Sequence, residues 1–462
     1  MKPLVDYFRC PEEYVAFDAC SALSSSDEFF PFGSDIVCYG KHMEGSALSV
    51  ADYGADGSAD TVVSGKKILL PFDPAQVIDN LRLERYVGCK CDNAHFLSSP
   101  LARAYYFVRP FLSIPVRKHV QRLFLRDWSK LQFPTWPVDT TVDKIFHKLV
   151  ALSLRSRGVN DMPFIWFWPE GASAGVIMTH DVETKAGRDY CASLMDIDER
   201  FGVRSSFQIV PELRYEVPAD FLRSIRDRGF EINVQDLNHD GLLYRSRDEF
   251  LRRVGKINQY GKSYGALGFR SAALYRRQEW YDALDFEYDM SVPNVAHLDP
   301  QRGGCCTVMP YFVGNILELP VTTIQDYSLF HVLNTYSLDL WRKQIDIITT
   351  HHGLISFIVH PDYVVKGRSL KAYQELLSCL AVLRSDKHLW IASPGEVNRW
   401  WRQRAQMKLV KDGDSWRITG EGGERACVAY ASAQSGSIRF ALSRRAAQAA
   451  DNGPAGFALQ PV

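Results

Sequence analysis

This chain is poorest in long apolar runs. No uncharged stretch approaches the roughly 20 residues that a membrane-spanning helix needs. Met1 to Cys20 carries Asp6, Arg9, Glu12, Glu13 and Asp18 around no apolar centre, so it does not read as a secretory leader. An excess of one charge is missing too. The 54 basic and 54 acidic residues cancel, which removes any global electrostatic argument for a nucleic-acid partner. Paired CxxC spacings are also absent, so no zinc knuckle is written here. The ten cysteines, among them Cys89, Cys91, Cys305 and Cys306, then read as free thiols of a reducing compartment. Together these absences lead to the expectation of a cytoplasmic protein.

What is present is a rhythm. Six short apolar segments each run into a polar residue suited to hydrolytic chemistry. Gly175 to Thr179 leads to His180, Asp181 and Glu183. Phe230 to Val234 leads to Gln235, Asp236, His239 and Asp240. Gly268-Phe269 ends at Arg270, and Phe286 to Tyr288 ends at Asp289. Ile316 to Pro320 leads to Asp326, and Leu354 to Val359 ends at His360 and Asp362. Helical patterns are predicted over 189–201, 219–228, 248–260, 338–351 and 370–383. The last has Leu370, Tyr373, Leu376, Leu377, Leu380 and Leu383 on one face. Alternating strand and helix signals predict a βα barrel, and such barrels carry their active sites at the C-terminal ends of the strands. Ordinary wet strand ends would also be polar. A set of carboxylates, three His and an Arg is more pointed than generic Ser and Lys.

The flanks differ from this core. Residues 1–160 read as a mixed α/β region with short strands near 35–39 and 68–71 and helical stretches after 101. Between 101 and 131, seven basic residues face only Asp127 and are interleaved with Tyr105, Tyr106, Phe107, Phe111, Phe124 and Trp128. This stretch reads either as a packed helix pair with a solvated basic face or as a peripheral membrane contact. Residues 163–405 hold the βα rhythm. Residues 408–462 form a small β module, with period-two pairs such as Trp416/Ile418 and Val428/Tyr430 separated by Gly-rich turns. It reads as structural or glycan-contacting.

On these residues the 163–405 segment resembles the polysaccharide deacetylases of the nodulation-type homology fold, carbohydrate esterase family four. The resemblance rests on five short motifs in order: Thr179-His180-Asp181-Val182-Glu183, the Gln235 to Gly241 stretch ending in His239, Phe269-Arg270-Ser271, Tyr288-Asp289-Met290-Ser291, and Ile358-Val359-His360-Pro361. Two departures stand out. Glu183 occupies a position where Asp is usual, and Gln235 stands where the family has the first of two His. The resemblance implies an α/β fold of the distorted (β/α)7 barrel type. It also implies a hydrolase that removes N-acetyl groups from an amino-sugar glycan or glycan precursor, and the lack of a secretory leader favours a lipid- or nucleotide-linked precursor.

The resemblance further implies residue roles. Asp181 is the expected base, His360 the acid, Arg270 the cation that holds Asp181 charged, and Asp289 the carboxylate that braces Arg270. One divalent metal ion is expected on Glu183, His239 and Gln235: zinc or another first-row metal, with magnesium, manganese or calcium suited to an oxygen-rich set. His180 reads as a packed histidine or as a neighbour of the site. The alternative function is a catalytically impaired relative that keeps the groove and binds a glycan or a partner protein, a reading that Gln235 favours.

Overall fold

The computed structural model describes residues 3–15, 17–21, 23–43, 62–64, 67–87, 127–434 and 437–443. Most of the basic 101–131 stretch therefore lies outside the described residues. Among the described residues, no helix is long and apolar enough to cross a membrane.

The chain forms two compact units, one of residues 1–78, 144–173 and 400–462, the other of residues 79–143 and 174–399. The division expected from the sequence is 1–160, 163–405 and 408–462. The Val428–Gln434 strand pairs antiparallel with both Ser437–Leu442 and Asp161–Ile165, a strand that precedes the barrel. The C-terminal strands thus complete a sheet begun before residue 170. In that unit Arg404 is buried without a carboxylate. It donates to the carbonyls of Ile165, Trp166 and Tyr7 at 2.7, 2.9 and 3.0 Å, and burial pulls its pKa down to about 9.

The second unit is the α/β body expected from the sequence. Its nine-stranded sheet is parallel apart from one hairpin. The order runs Tyr311–Val313, Ile316–Glu318, Tyr288–Asp289, Gly268–Arg270, Glu231–Gln235, Ser206–Ile209, Ala174–Val182, Leu354–Val359, with Leu389–Ile391 also along Ala174–Val182. Parallel strands are covered on both faces, so they read as near-continuous apolar runs. Ala174–Val182 and Leu354–Val359 are buried at every position. Helices follow the strands, and their starts are written locally. Thr184 accepts the Gly187 N–H to begin Lys185–Arg200. Ser246 accepts the Glu249 N–H to begin Arg247–Tyr264, which Gly265 closes in the left-handed conformation at φ +57°.

Register decides which side chains face inward. Thr179 lies opposite Ile358, and His180 lies opposite Val359. Ile358 packs with Leu274 and Val321 in a small cluster of its own. His180 instead faces Asp198 on the following helix. Alternation at period two therefore puts Thr179, Asp181, Ile358 and His360 on the inner face, and His180 and Val359 on the outer. Gly268 is required where it stands. A Cβ there would collide with the Tyr288 ring and with Asn233 Oδ1, the acceptor of the Gly268 N–H. That close approach sets the strand that carries Arg270.

Candidate functional site

Asp181 is the anchor. Its Oδ1 accepts from Arg270 Nη1 at 2.6 Å, and its Oδ2 accepts from Gln235 Nε2 at 3.0 Å. Arg270 is fully buried and held by two further groups, Thr179 Oγ1 at 2.7 Å and the Met290 carbonyl at 3.0 Å. A buried guanidinium is costly unless paired, so the Asp181–Arg270 contact is a strong local constraint.

Glu183 is the hub. Its Oε1 lies 2.7 Å from His239 Nε2, 3.4 Å from His360 Nε2 and 3.3 Å from Gln235 Nε2. Burial alone would raise its carboxyl. The nearby charges of His239 and His360 outweigh that and hold it well below the ordinary carboxylate range. Burial likewise opposes charging of both imidazoles. Glu183 overcomes it at His239, and Asp326 with Glu183 overcomes it at His360, so both titrate above the usual histidine range. Ligand atoms of Asp181, Glu183 and His360 lie within 4.8 Å of one another, a spacing that suits a shared cation.

His239 reaches Glu183 through backbone strain. Asp236 and His239 both adopt left-handed conformations, at φ +52° and +55°, which non-glycine residues accept at a cost of roughly 1–3 kcal/mol each. Asp240 anchors the loop by a two-pronged pair with Arg253, 2.8 Å on each prong. Asp240 thus serves the turn. His239 Nε2 is only 2.7 Å from Glu183 yet not aligned as a hydrogen bond, and Gln235 Oε1 is sealed without a partner.

The sequence-predicted residues divide. Asp181, Glu183, Gln235, His239, Arg270 and His360 converge on one cluster. Asp289 does not. It sits in register with Phe269, on the face opposite to Arg270. Its carboxylate accepts from Tyr281 at 2.7 Å, from Ser291 N at 2.8 Å and from Ser291 Oγ at 2.9 Å. Arg270 is braced by Thr179 and the Met290 carbonyl instead. Gln235 turns its amide nitrogen toward the carboxylates of Asp181 and Glu183.

The residue that sequence reasoning left without a role is Asp326. Its Oδ1 lies 2.7 Å from His360 Nδ1, and its Oδ2 accepts the His360 N–H at 2.8 Å. It follows the Ile316–Glu318 strand by several residues. The sequence signal was only its place after an apolar segment. His180 is packed away on the outer face, with Nε2 2.9 Å from Asp198 and Nδ1 3.1 Å from the Val359 carbonyl.

No family model and no curated relative matches this sequence. Solved structures with a similar fold include the Puue allantoinase, at 12% identity and TM-score 0.40, covering 51% of this chain and 92% of that one. A second is the peptidoglycan deacetylase PdaC from Bacillus subtilis, at 11% identity and TM-score 0.32, covering 51% and 95%. A third is the Xyl-CE4 domain of a multidomain xylanase from the hindgut metagenome of Trinervitermes trinervoides, at 12% identity and TM-score 0.32, covering 49% and 90%.

Proposed function

We propose that the site hydrolyses an amide, removing N-acetyl groups from an amino-sugar glycan or glycan precursor. One observation carries this reading. Asp181 and His360, on adjacent strands, face the same hub, and each has its own charge partner: Arg270 on Asp181 at 2.6 Å and Asp326 on His360 at 2.7 Å. A carboxylate held by a cation is suited to act as base. An imidazole whose Nδ1 is tied to a carboxylate offers Nε2 as the proton donor. Asp181 takes a proton from water as the water oxygen bonds to the acyl carbon. The C–N bond then breaks, and His360 Nε2 protonates the departing amine. Acetate and a free amino sugar leave.

The donor set also suits a divalent ion. Asp181, Glu183 and His360 offer carboxylate and imidazole ligands within 4.8 Å of one another, and His239 Nε2, 2.7 Å from Glu183, lies at the edge of that set. Such an ion, when bound, polarises the acyl carbonyl and lowers the pKa of a bound water. Gln235 joins the set only if its amide turns over to present the oxygen. That rotation breaks its bonds to Asp181 and Glu183 and is favourable only with a cation between them.

The test is release of acetate from N-acetylglucosamine oligomers and peptidoglycan fragments, with elemental analysis of the metal-loaded protein. Acetate release together with about one bound divalent ion is the expected result. The second reading, a groove that binds glycan or a partner without turnover, is favoured by the Gln235 amide bridging the two carboxylates. Absence of both acetate release and stoichiometric metal would establish it in place of the first.

A further inference from the structure

Three residues past His360, the short turn Pro361–Tyr363 folds an aromatic ring back over the imidazole. The Tyr363 N–H donates to the His360 carbonyl at 3.1 Å, and the two rings stack with centroids 4.6 Å apart and planes 27° apart. The phenol ring is fixed from behind by His331, edge-on at 4.9 Å, and by Tyr327 at 5.9 Å. His360 cannot turn away, because Asp326 holds Nδ1 and the backbone N–H of the same residue. The Tyr363 ring is therefore as firmly placed relative to the site as His360 itself.

The hydroxyl at the end of that ring is unused. It makes no hydrogen bond to any described residue, and it is not among the sealed, partnerless atoms, so it keeps open surface. The ring stacks on His360, whose Nε2 lies 3.4 Å from Glu183 Oε1, so it lies beside the candidate site. A buried tyrosine hydroxyl ordinarily finds a protein partner, as Tyr281 does at Asp289 and Tyr373 at Asp198. An open one beside a candidate acid points toward something that arrives.

We propose that the Tyr363 hydroxyl is a further catalytic group, donating a hydrogen bond to the acyl oxygen as that oxygen takes on negative charge. The proposal rests on the reading of Asp181 and His360 as base and acid. No bond of Tyr363 forms or breaks. The proton stays on the phenol throughout. A fixed donor aimed at developing charge is worth more in a dry site than in water, and loss of one such donor costs roughly a hundredfold or more in turnover.

Tyr363→Phe keeps the stacked ring and removes only the hydroxyl. The expected result is a fall of roughly a hundredfold in kcat on an N-acetylglucosamine oligomer, with KM and thermal midpoint nearly unchanged. Tyr363→Leu, which also removes the stack, reports the packing role separately. Calorimetry with the methylphosphonamide analogue of N-acetylglucosamine, a tetrahedral mimic with a charged oxygen, gives a readout that needs no turnover. The Phe variant should lose affinity for this analogue and keep its affinity for N-acetylglucosamine. A Phe variant as active as the parent, beside an impaired Leu variant, would leave the ring as packing and overturn the proposal alone. A parent protein that neither releases acetate nor prefers the analogue would overturn the hydrolase reading, and the proposal with it.

Discussion

Two polar clusters sit back to back across the strand that carries His180 and Asp181, and they are built to different standards. The outer one centres on Asp198. It receives His180 Nε2 at 2.9 Å, Ser205 Oγ at 2.6 Å and the Tyr373 hydroxyl, while His180 Nδ1 uses the Val359 carbonyl. Among the described residues, none of its side-chain atoms is left buried and unpaired. The inner cluster around Glu183 is just as polar, but it leaves Gln235 Oε1, His239 Nε2 and Arg270 Nη2 sealed without a hydrogen bond. Orphaned buried polar atoms are rare because each costs about 1–3 kcal/mol. A saturated network has nothing left to bind and holds helices to strands. An unsaturated one is completed by a ligand. Adjacent residues of one strand, His180 and Asp181, thus serve opposite ends because alternation sends them to opposite faces.

The outer cluster should give the largest effect. Asp198→Ala would leave His180, Ser205 and Tyr373 without their shared acceptor. It should cost about 3–5 kcal/mol of stability, the scale for breaking a buried pair, as measured by urea unfolding. A loss no larger than that of an exposed substitution would erase the distinction between the clusters.

The inner cluster should respond first in activity. Asp181→Asn keeps the shape and removes the proton acceptor. Acetate release should fall by roughly a hundredfold or more, and the unfolding midpoint should fall as well, because the buried Arg270 loses its charge partner. Unchanged turnover would show that Asp181 is not the base.

Gln235→His replaces the amide that bridges two carboxylates with an imidazole. Affinity for a zinc-like ion should rise by at least about tenfold, the scale on which single changes around a metal act, read by competition with a chelator. Stronger metal binding without acetate release would sharpen the comparison toward a site completed by a ligand but not by turnover. No gain in a folded variant would remove this position from the metal set.

The smallest effect concerns pH, on the outer face again. Burial raises the Asp289 carboxyl. Burial and the neighbouring Asp289 carry Glu318 well above the ordinary carboxylate range. A carboxyl raised on folding keeps its proton in the native state while the unfolded chain gives it up. Stability is then full below the unfolded value near 4.5 and falls as pH rises from there toward the raised value. Glu318→Gln should flatten that decline, by about 1 kcal/mol between mildly acidic and neutral pH, seen as a narrower spread of thermal midpoints. An unchanged spread would show that the pair does not carry the pH dependence.

The chain sequence determined most of the strands and helices of the second unit and the residues at the strand ends, though Ser206–Ile209 does not stand out as a segment. Residues 175–178 and Leu354–Val359 announce themselves because strands buried on both faces read as near-continuous apolar runs, a local property. The polar residue that ends such a run is legible for the same reason. Tertiary structure decided what each of those residues faces. Asp289 ends a strand like the others but lies in register with Phe269 and so turns outward. Asp326 meets His360 across 34 residues of sequence, and Gln235 reaches Asp181 across 54. Asp161–Ile165 finds its partner in Val428–Gln434, which no local pattern could assign. Hydrophobic period is written in neighbouring residues. Facing and pairing depend on the register between strands far apart in the chain, and that register exists only once the sheet has assembled.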